Sequence, residues 1–242
     1  IADPQPYTIE VEAPETVESV VRGASTLVGD ADEPASGAAG LLASARGDYR
    51  RILAALYDEG YYGGSVNILV GGREAATLPP DTSLPDPVAV SVLVNPGPLF
   101  RFNRVDIVNM APPTTDPWDQ VDLPVTRGFG TGEIARSSLV LQSEELALEA
   151  SRQQGYATAA IQSRDVVADH ATNTVDVTIT VDPGPRAAFG PVTVSGTERM
   201  DPEFVRRQTG LQVGEEYDPD ELDRAQKRLD RLEVFSTARL EA

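Results

Sequence analysis

No cysteine occurs in the 242 residues, which removes disulfides, thiolate metal sites and cysteine nucleophiles together. Histidine occurs once, as His170, in the polar turn Ala168 to Asn173 between two strand-like runs. It reads as a solvated turn residue, and no catalytic triad can be assembled around it. Basic residues are scarce: Lys plus Arg number 20 against 38 Asp plus Glu, a formal charge of −18. That balance opposes tight binding to nucleic acid or to anionic lipid headgroups and leaves neutral or basic partners. Wholly apolar stretches are only a few residues long, so no helix can span a bilayer. The chain opens on Ile1 and not on Met, from which we expect that a signal or other upstream segment has been removed.

What is abundant is repetition. Pro96-Gly97-Pro98, Phe102, Val105 and Ile107 return as Pro183-Gly184-Pro185, Phe189, Val192 and Val194, a constant offset of 87 (96 to 183, 102 to 189, 107 to 194). A fixed period marks a string of similar modules and not one enzyme-sized domain. Each Pro-Gly-Pro joins the end of one alternating strand to the start of another: Val88 to Val94 into Val105 to Val108, and Val175 to Val181 into Val192 to Ser195. Joints so short are stiff, and modules of this size, near the limit where a core becomes marginal, support one another. The modules are expected at 1–97, 98–184 and 185–242. A stiff string of small sheet-bearing modules suits holding other polypeptides better than catalysis.

In the first module Tyr7 to Glu12 alternates as a strand, a helix is predicted at Glu15 to Val28, and Asp30 to Gly40 is rich in turn formers. Tyr49, Ile52, Leu53, Leu56 and Tyr57 share one face of a second helix, which Gly60 stops. Ser65 to Val70 is a strand broken by Gly71-Gly72, and a Pro-rich loop (Leu78 to Pro87) leads to the strand Val88 to Val94. The second module repeats this with Phe102 to Val108, a helix Ser137 to Gln154 ending at Gly155-Tyr156, and strands Thr158 to Val166 and Thr174 to Val181. Where its first helix belongs, Ala111 to Gly132 reads as an irregular loop with at most one helical turn near Trp118. Its helix carries two apolar stripes, one of Ala135, Leu139, Leu146 and Ala150, the other of Ile134, Leu141 and Leu148. The third module opens on Val192 to Ser195. Asp201-Pro202-Glu203 and Asp218-Pro219-Asp220-Glu221 then read as N-cap, proline and first-turn acid. Leu222, Ala225, Leu229 and Leu232 form the buried helix face, and Phe235 to Leu240 is a strand, leaving this module one strand short of the template.

The strand-helix-helix-strand-strand order, the Gly-Tyr after the second helix and the Pro-Gly-Pro joint resemble the polypeptide-transport-associated (POTRA) domain. Three in series, with Leu53-Ala54-Ala55-Leu56-Tyr57-Asp58-Glu59-Gly60-Tyr61-Tyr62 in the first, resemble the periplasmic part of the TamA-type outer-membrane subunit of the translocation and assembly module. The chain departs from that pattern in the eroded first helix of module two and in Glu233-Val234, where Gly-Tyr is expected. The resemblance implies an α+β fold of tandem βααββ modules, each a three-stranded mixed sheet packed by two helices and ordered 1-3-2, with its second strand on an edge. It further implies a place at the periplasmic face of the outer membrane, followed by a membrane barrel. Its implied partners are client outer-membrane polypeptides, autotransporters among them, and an inner-membrane-anchored TamB-type subunit.

The expected sites are the two edges, Ser65, Val66, Asn67, Ile68, Leu69 and Val70 in module one and Thr158, Ala159, Ala160, Ile161 and Gln162 in module two, and the first is expected to be the one used. An open edge offers N–H and C=O groups to any extended backbone, although natural sheets also cover or solvate their edges. Proline at Asn67 or Leu69 is expected to remove a pairing group. Gly60-Tyr61-Tyr62 and Gly155-Tyr156 read as helix caps with core anchors. Gly128, Gly130 and Gly132 look like a phosphate cradle but lack the preceding strand and lysine. Asp116, Asp119 and Asp122 depart from calcium-loop spacing and read as solvated. Single sheets of this size rarely enclose a pocket, so no enzyme, metal or cofactor is expected. A passive spacer, or the POTRA region of a secretion or general barrel-assembly pore, is the alternative. The acidity can hold the arm off anionic lipid within about 8 Å.

Overall fold

The computed structural model describes residues 3–115, 117–196 and 200–232. The expected strand Phe235 to Leu240 and the pair Glu233-Val234 lie outside them. The first sheet contains β1 (Tyr7–Glu12), β2 (Ser65–Val70), β3 (Arg73–Glu74) and β4 (Val88–Asn95) in the order β1-β4-β2-β3. β1 runs parallel to β4 (Tyr7 beside Val88), and β4 antiparallel to β2 (Val70 beside Val90). The long strands thus follow the order 1-3-2. The two-residue β3 is an addition: Gly71 and Gly72, both at positive φ, fold the chain back so that Arg73 pairs with Val70 and Glu74 with Leu69.

Three helices accompany this sheet: α1 (Glu15–Ala24), α2 (Thr26–Gly29) and α3 (Gly37–Asp58). The single helix expected to Val28 is broken at Ser25, whose backbone is extended and whose Oγ accepts from Val28 N at 3.2 Å. The cause is Asp48 on α3. Its wholly buried carboxylate accepts from Ser25 Oγ (2.6 Å), Thr26 N (3.0 Å), Leu27 N (3.1 Å) and Arg51 Nε (2.9 Å), so one helix caps the start of another. Burial raises the pKa of Asp48, but the hydrogen bonds from Ser25, Arg51, Leu27 and Thr26 outweigh it and hold the group below its ordinary range. α3 also begins inside the segment expected as turns, because Leu41, Leu42 and Ala45 extend its buried stripe toward Ile52 and Leu56. These side chains meet Ile68, Val70, Val88, Val90 and Val92 of the sheet, each aliphatic contributing about 1.5–3 kcal/mol by leaving water.

The second sheet has β5 (Arg101–Val108), β6 (Ala160–Asp169) and β7 (Thr174–Asp182) in the order β5-β7-β6. The repeat extends to the central strands. Val88, Val90, Val92 and Val94 are buried on β4, and Val175, Val177, Ile179 and Val181, 87 positions on, are buried on β7 (88 to 175, 94 to 181). α4 (Ser137–Arg152) ends two residues earlier than predicted and buries neither expected stripe as a whole. Its covered side is Val140, Ser143, Glu144, Ala147, Ala150 and Ser151, while Leu141 is exposed. Small residues on that side allow close approach, which a count of leucines cannot reveal. Among the described residues of the loop the helical turn, a 3₁₀ turn, is at Pro124–Arg127 and not at Trp118, whose side chain is 79% exposed. α5 (Pro202–Thr209) and α6 (Pro219–Asp230) begin as expected, with Asp201 accepting from Glu203 N and Asp218 from Asp220 N. Val192 to Ser195 is not a strand; among the described residues no neighbour lies beside it to complete a ladder.

Internal contacts divide the chain into two compact units, one of Ile1–Asn103, Thr131–Leu139 and Val167–Asp176, the other of Arg104–Gly130, Val140–Val166 and Val177–Ala242. Each unit contains one Pro-Gly-Pro joint. In the first, Gly97 N donates to Asn95 Oδ1 (3.1 Å), Phe100 N to Gly60 O (2.9 Å), Phe102 N to Glu133 O (2.9 Å), Gly132 N to Phe102 O (2.7 Å) and Ala135 N to Phe100 O (3.1 Å). In the second, Gly184 N donates to Asp182 Oδ1 (3.1 Å), Ala187 N to Gly155 O (2.8 Å), Phe189 N to Glu215 O (2.8 Å), Gly214 N to Phe189 O (2.8 Å) and Tyr217 N to Ala187 O (3.0 Å). The two ladders match bond for bond, since 100, 102, 133 and 135 correspond to 187, 189, 215 and 217. A related bridge joins Gln5 to Ala35 just ahead of α3, as Arg101–Ile134 and Ala188–Glu216 do ahead of α4 and α6.

Candidate functional site

β2 carries all six residues expected on the first edge, yet its outer side is largely occupied. Leu69 and Val70 lie beside β3. Ile68 N donates to the Tyr49 hydroxyl (3.3 Å), which lies 3.2 Å from Ile68 O and also contacts the Glu74 carboxylate. Backbone groups alternate sides along a strand, and Gly71 N bonds Ala89 O on the β4 side at 2.8 Å. Ser65, Asn67 and Leu69 therefore turn their groups toward β4, while Val66, Ile68 and Val70 turn theirs outward. Val66 is left as the position that neither Tyr49 nor β3 meets. Proline at Asn67 or Leu69 would therefore break the β2–β4 ladder and not, as expected, remove an outward pairing group.

The second edge is longer. Thr158 and Ala159 precede β6, and Ala160, Ile161 and Gln162 begin it. Among the described residues β6 ends its sheet, and it exposes eight of its ten residues, with Val166 at 42%. Arg164 reaches Glu144 of α4 at 2.8 Å. Thr158 is a joint residue: a Cβ on Gly184 would stand 2.3 Å from its Oγ1.

The Gly-Tyr segments close helices. Gly60 has φ +90°, and Tyr61 N donates to Leu56 O (2.8 Å), ending α3; Gly155 has φ +85°, and Tyr156 N donates to Ser151 O (3.1 Å). Tyr62 stacks on Tyr57 (centroids 5.0 Å apart) and leans on buried Phe100 (5.6 Å). Burial, with the charges of Asp58 and Tyr57, pushes the Tyr62 phenol up to about 12. His170 is exposed but packs edge-on against Phe100 (5.3 Å), so it is more than a solvated turn residue. Beside this cluster Asp58 Oδ1 accepts from Ser138 N (3.0 Å) in the first turn of α4, and Arg136 pairs with Glu59 (3.0 Å). At the second joint Arg186 pairs with Glu216 (3.3 Å) and lies over the Tyr156 ring (5.5 Å).

The remaining candidates have structural occupations. Gly128 (φ +96°) closes the 3₁₀ turn and Gly132 (φ +88°) starts the joint ladder. Asp122 is bound by Arg127 (2.9 Å to Nε), and Asp116 lies outside the described residues. Among the described residues no three acids or histidines gather where they could hold a metal. An open groove of about 560 Å³ includes Gln153, Arg186, Glu216 and Asp218; the charges of Arg186 and Glu216 are paired and Asp218 caps α6. No helix among the described residues is long and apolar enough to cross a membrane. Sequence reasoning missed Tyr49 and Glu74 at the edge. Tyr49 was legible as a helix-face residue, but nothing local indicates that it reaches a strand 19 residues on.

Against known proteins, residues 187–241 match the POTRA family model, described as surface antigen variable number repeat. No curated protein matches the chain. The crystal structure of Haemophilus influenzae BamA POTRA3-5 is similar over 98% of this chain and 88% of its own, with a TM-score of 0.58 and 18% identity. POTRA1-3 of the periplasmic domain of Omp85 from Anabaena is more distant, at TM-score 0.40 and 13% identity over 97% of this chain and 86% of its own. The fold is that of tandem POTRA domains, a mixed α+β architecture.

Proposed function

We propose that this chain is the periplasmic arm of an outer-membrane assembly factor of the Omp85 kind, three POTRA modules at 1–97, 98–184 and 185–242 that hold extended polypeptides by strand addition. The supporting observation is β6, which ends its sheet and is exposed along most of its length. Main-chain pairing at such an edge gives affinity with little demand on sequence, as a carrier of many clients needs. The three matching bridges and two matching ladders support the module division. Three modules in series and the Gly60-Tyr61-Tyr62 segment favour the TamA-type subunit, with autotransporters among its clients and an inner-membrane-anchored TamB-type partner. The arm acts by binding, with no covalent chemistry. A passive spacer is the second reading, favoured by Arg164 and Asp165 on β6, since charges also blunt edges against pairing.

The test is a photo-crosslinking side chain at exposed Gln162, with the same group at exposed Arg50 on α3 as control, while an outer-membrane barrel protein is being delivered. Adducts at 162 and not at 50 are expected. Equal or absent yields at both sites during delivery would favour the spacer.

A further inference from the structure

We infer that the β2 edge is a latched docking site, closed in the free protein by the Tyr49 phenol. The inference rests on the reading of sheet edges as binding sites. The backbone groups of Ile68 face outward while its side chain lies in the core, and one hydroxyl meets both the N–H (3.3 Å) and the C=O (3.2 Å). A neighbouring strand would satisfy the same two groups, so the phenol stands in for one residue of an absent strand. Glu74 holds the latch: its carboxylate contacts the Tyr49 hydroxyl and accepts from Asn67 Nδ2 (3.3 Å). β3 fixes Glu74 beside Leu69. A hydroxyl has a single proton, and Glu74 and Ile68 O compete for it, so the Ile68 carbonyl is only part-satisfied and the latch is weak.

An incoming backbone would find Val66 open and displace the phenol to reach Ile68, gaining a second outward position on the same side. β3 ends the run at Leu69 and Val70. The edge therefore fits a short extended segment, whereas the ten-residue β6 fits a long one.

The experiment compares the full chain with Tyr49→Phe, which keeps the ring and removes the hydroxyl. The probe is a short capped peptide of alternating threonine and valine, read by amide shifts and amide exchange. Ile68 N–H exchange should accelerate at least roughly tenfold in the variant without peptide. Peptide affinity at Val66 and Ile68 should rise roughly three- to tenfold, the value of one or two neutral hydrogen bonds. Unchanged Ile68 exchange overturns the latch whether or not peptide binds. Faster exchange with unchanged affinity at Val66 and Ile68, while β6 still binds, overturns the docking role but leaves the proposed function standing. Binding at neither edge in either protein removes both.

Discussion

The two joints share one backbone ladder and differ in the side chains laid over it. At the first, α3 supplies Asp58 to cap α4, the next residue Glu59 pairs with Arg136, and Tyr57, Tyr62, Phe100 and His170 form a continuous aromatic contact. At the second, the positions corresponding to Asp58 and Glu59 by the Gly60-to-Gly155 offset are Gln153 and Gln154, and α6 is capped by its own Asp218. Its side-chain contacts are the exposed Arg186–Glu216 pair, the Arg186–Tyr156 contact and Phe189 against Tyr217. The ladder sets the connection; the overlay sets how firmly it is held and which solution conditions loosen it. The first joint leans more on packing and a cross-helix cap, the second more on solvated charge beside the single Phe189–Tyr217 contact.

The two joints should differ most at their glycines. Positive φ costs a residue with a Cβ about 1–2 kcal/mol at either site. At Gly60 the added Cβ also meets packed Ile134 Cγ2 at 2.8 Å, whereas at Gly155 it meets the flexible end of exposed Glu216. Gly60→Ala should therefore cost about 3 kcal/mol in urea unfolding and Gly155→Ala about half that; equal losses would show the overlays to be equivalent. Asp58→Ala should cost about 1 kcal/mol and speed Ser138 amide exchange, against no more than about 0.5 kcal/mol for Gln153→Ala. Alkali should loosen the first joint through Tyr62. Its folded pKa is raised, so the contribution is complete below the unfolded value near 10 and is lost as pH rises through about 12. Tyr62→Phe should remove that loss between pH 10 and 12 in alkaline unfolding. Arg186→Ala should cause only a small loss, because its pair with Glu216 is solvated, and the loss should vanish in molar salt; a loss that survives salt would mean the second joint is packed like the first.

The joints and central strands were legible because their signals are periodic and local: Pro-Gly-Pro, and buried valines at every second position of β4 and β7. The start of α3 was not, because Gly37 and Gly40 mark turns locally, and the burial of Leu41, Leu42 and Ala45 overrides them. Asp48 left a trace, a lone acid in the stripe Leu41, Ala45, Ile52, but its partners Ser25, Thr26 and Leu27 lie more than 20 positions away. The same distance hid the Asp58–Ser138 cap, which spans 80 positions. Of the candidate site, the strands were readable and their outer neighbours were not. Whether an edge is open depends on what folds back onto it, here Tyr49 and β3 on β2.

The most direct test of edge docking is residue-resolved amide exchange on β6 with and without the threonine–valine peptide. Strand addition predicts new protection at alternate amides between Ala160 and Val166, since every second N–H of an edge strand faces outward. Protection without alternation, or confined to residues away from β6, would contradict it.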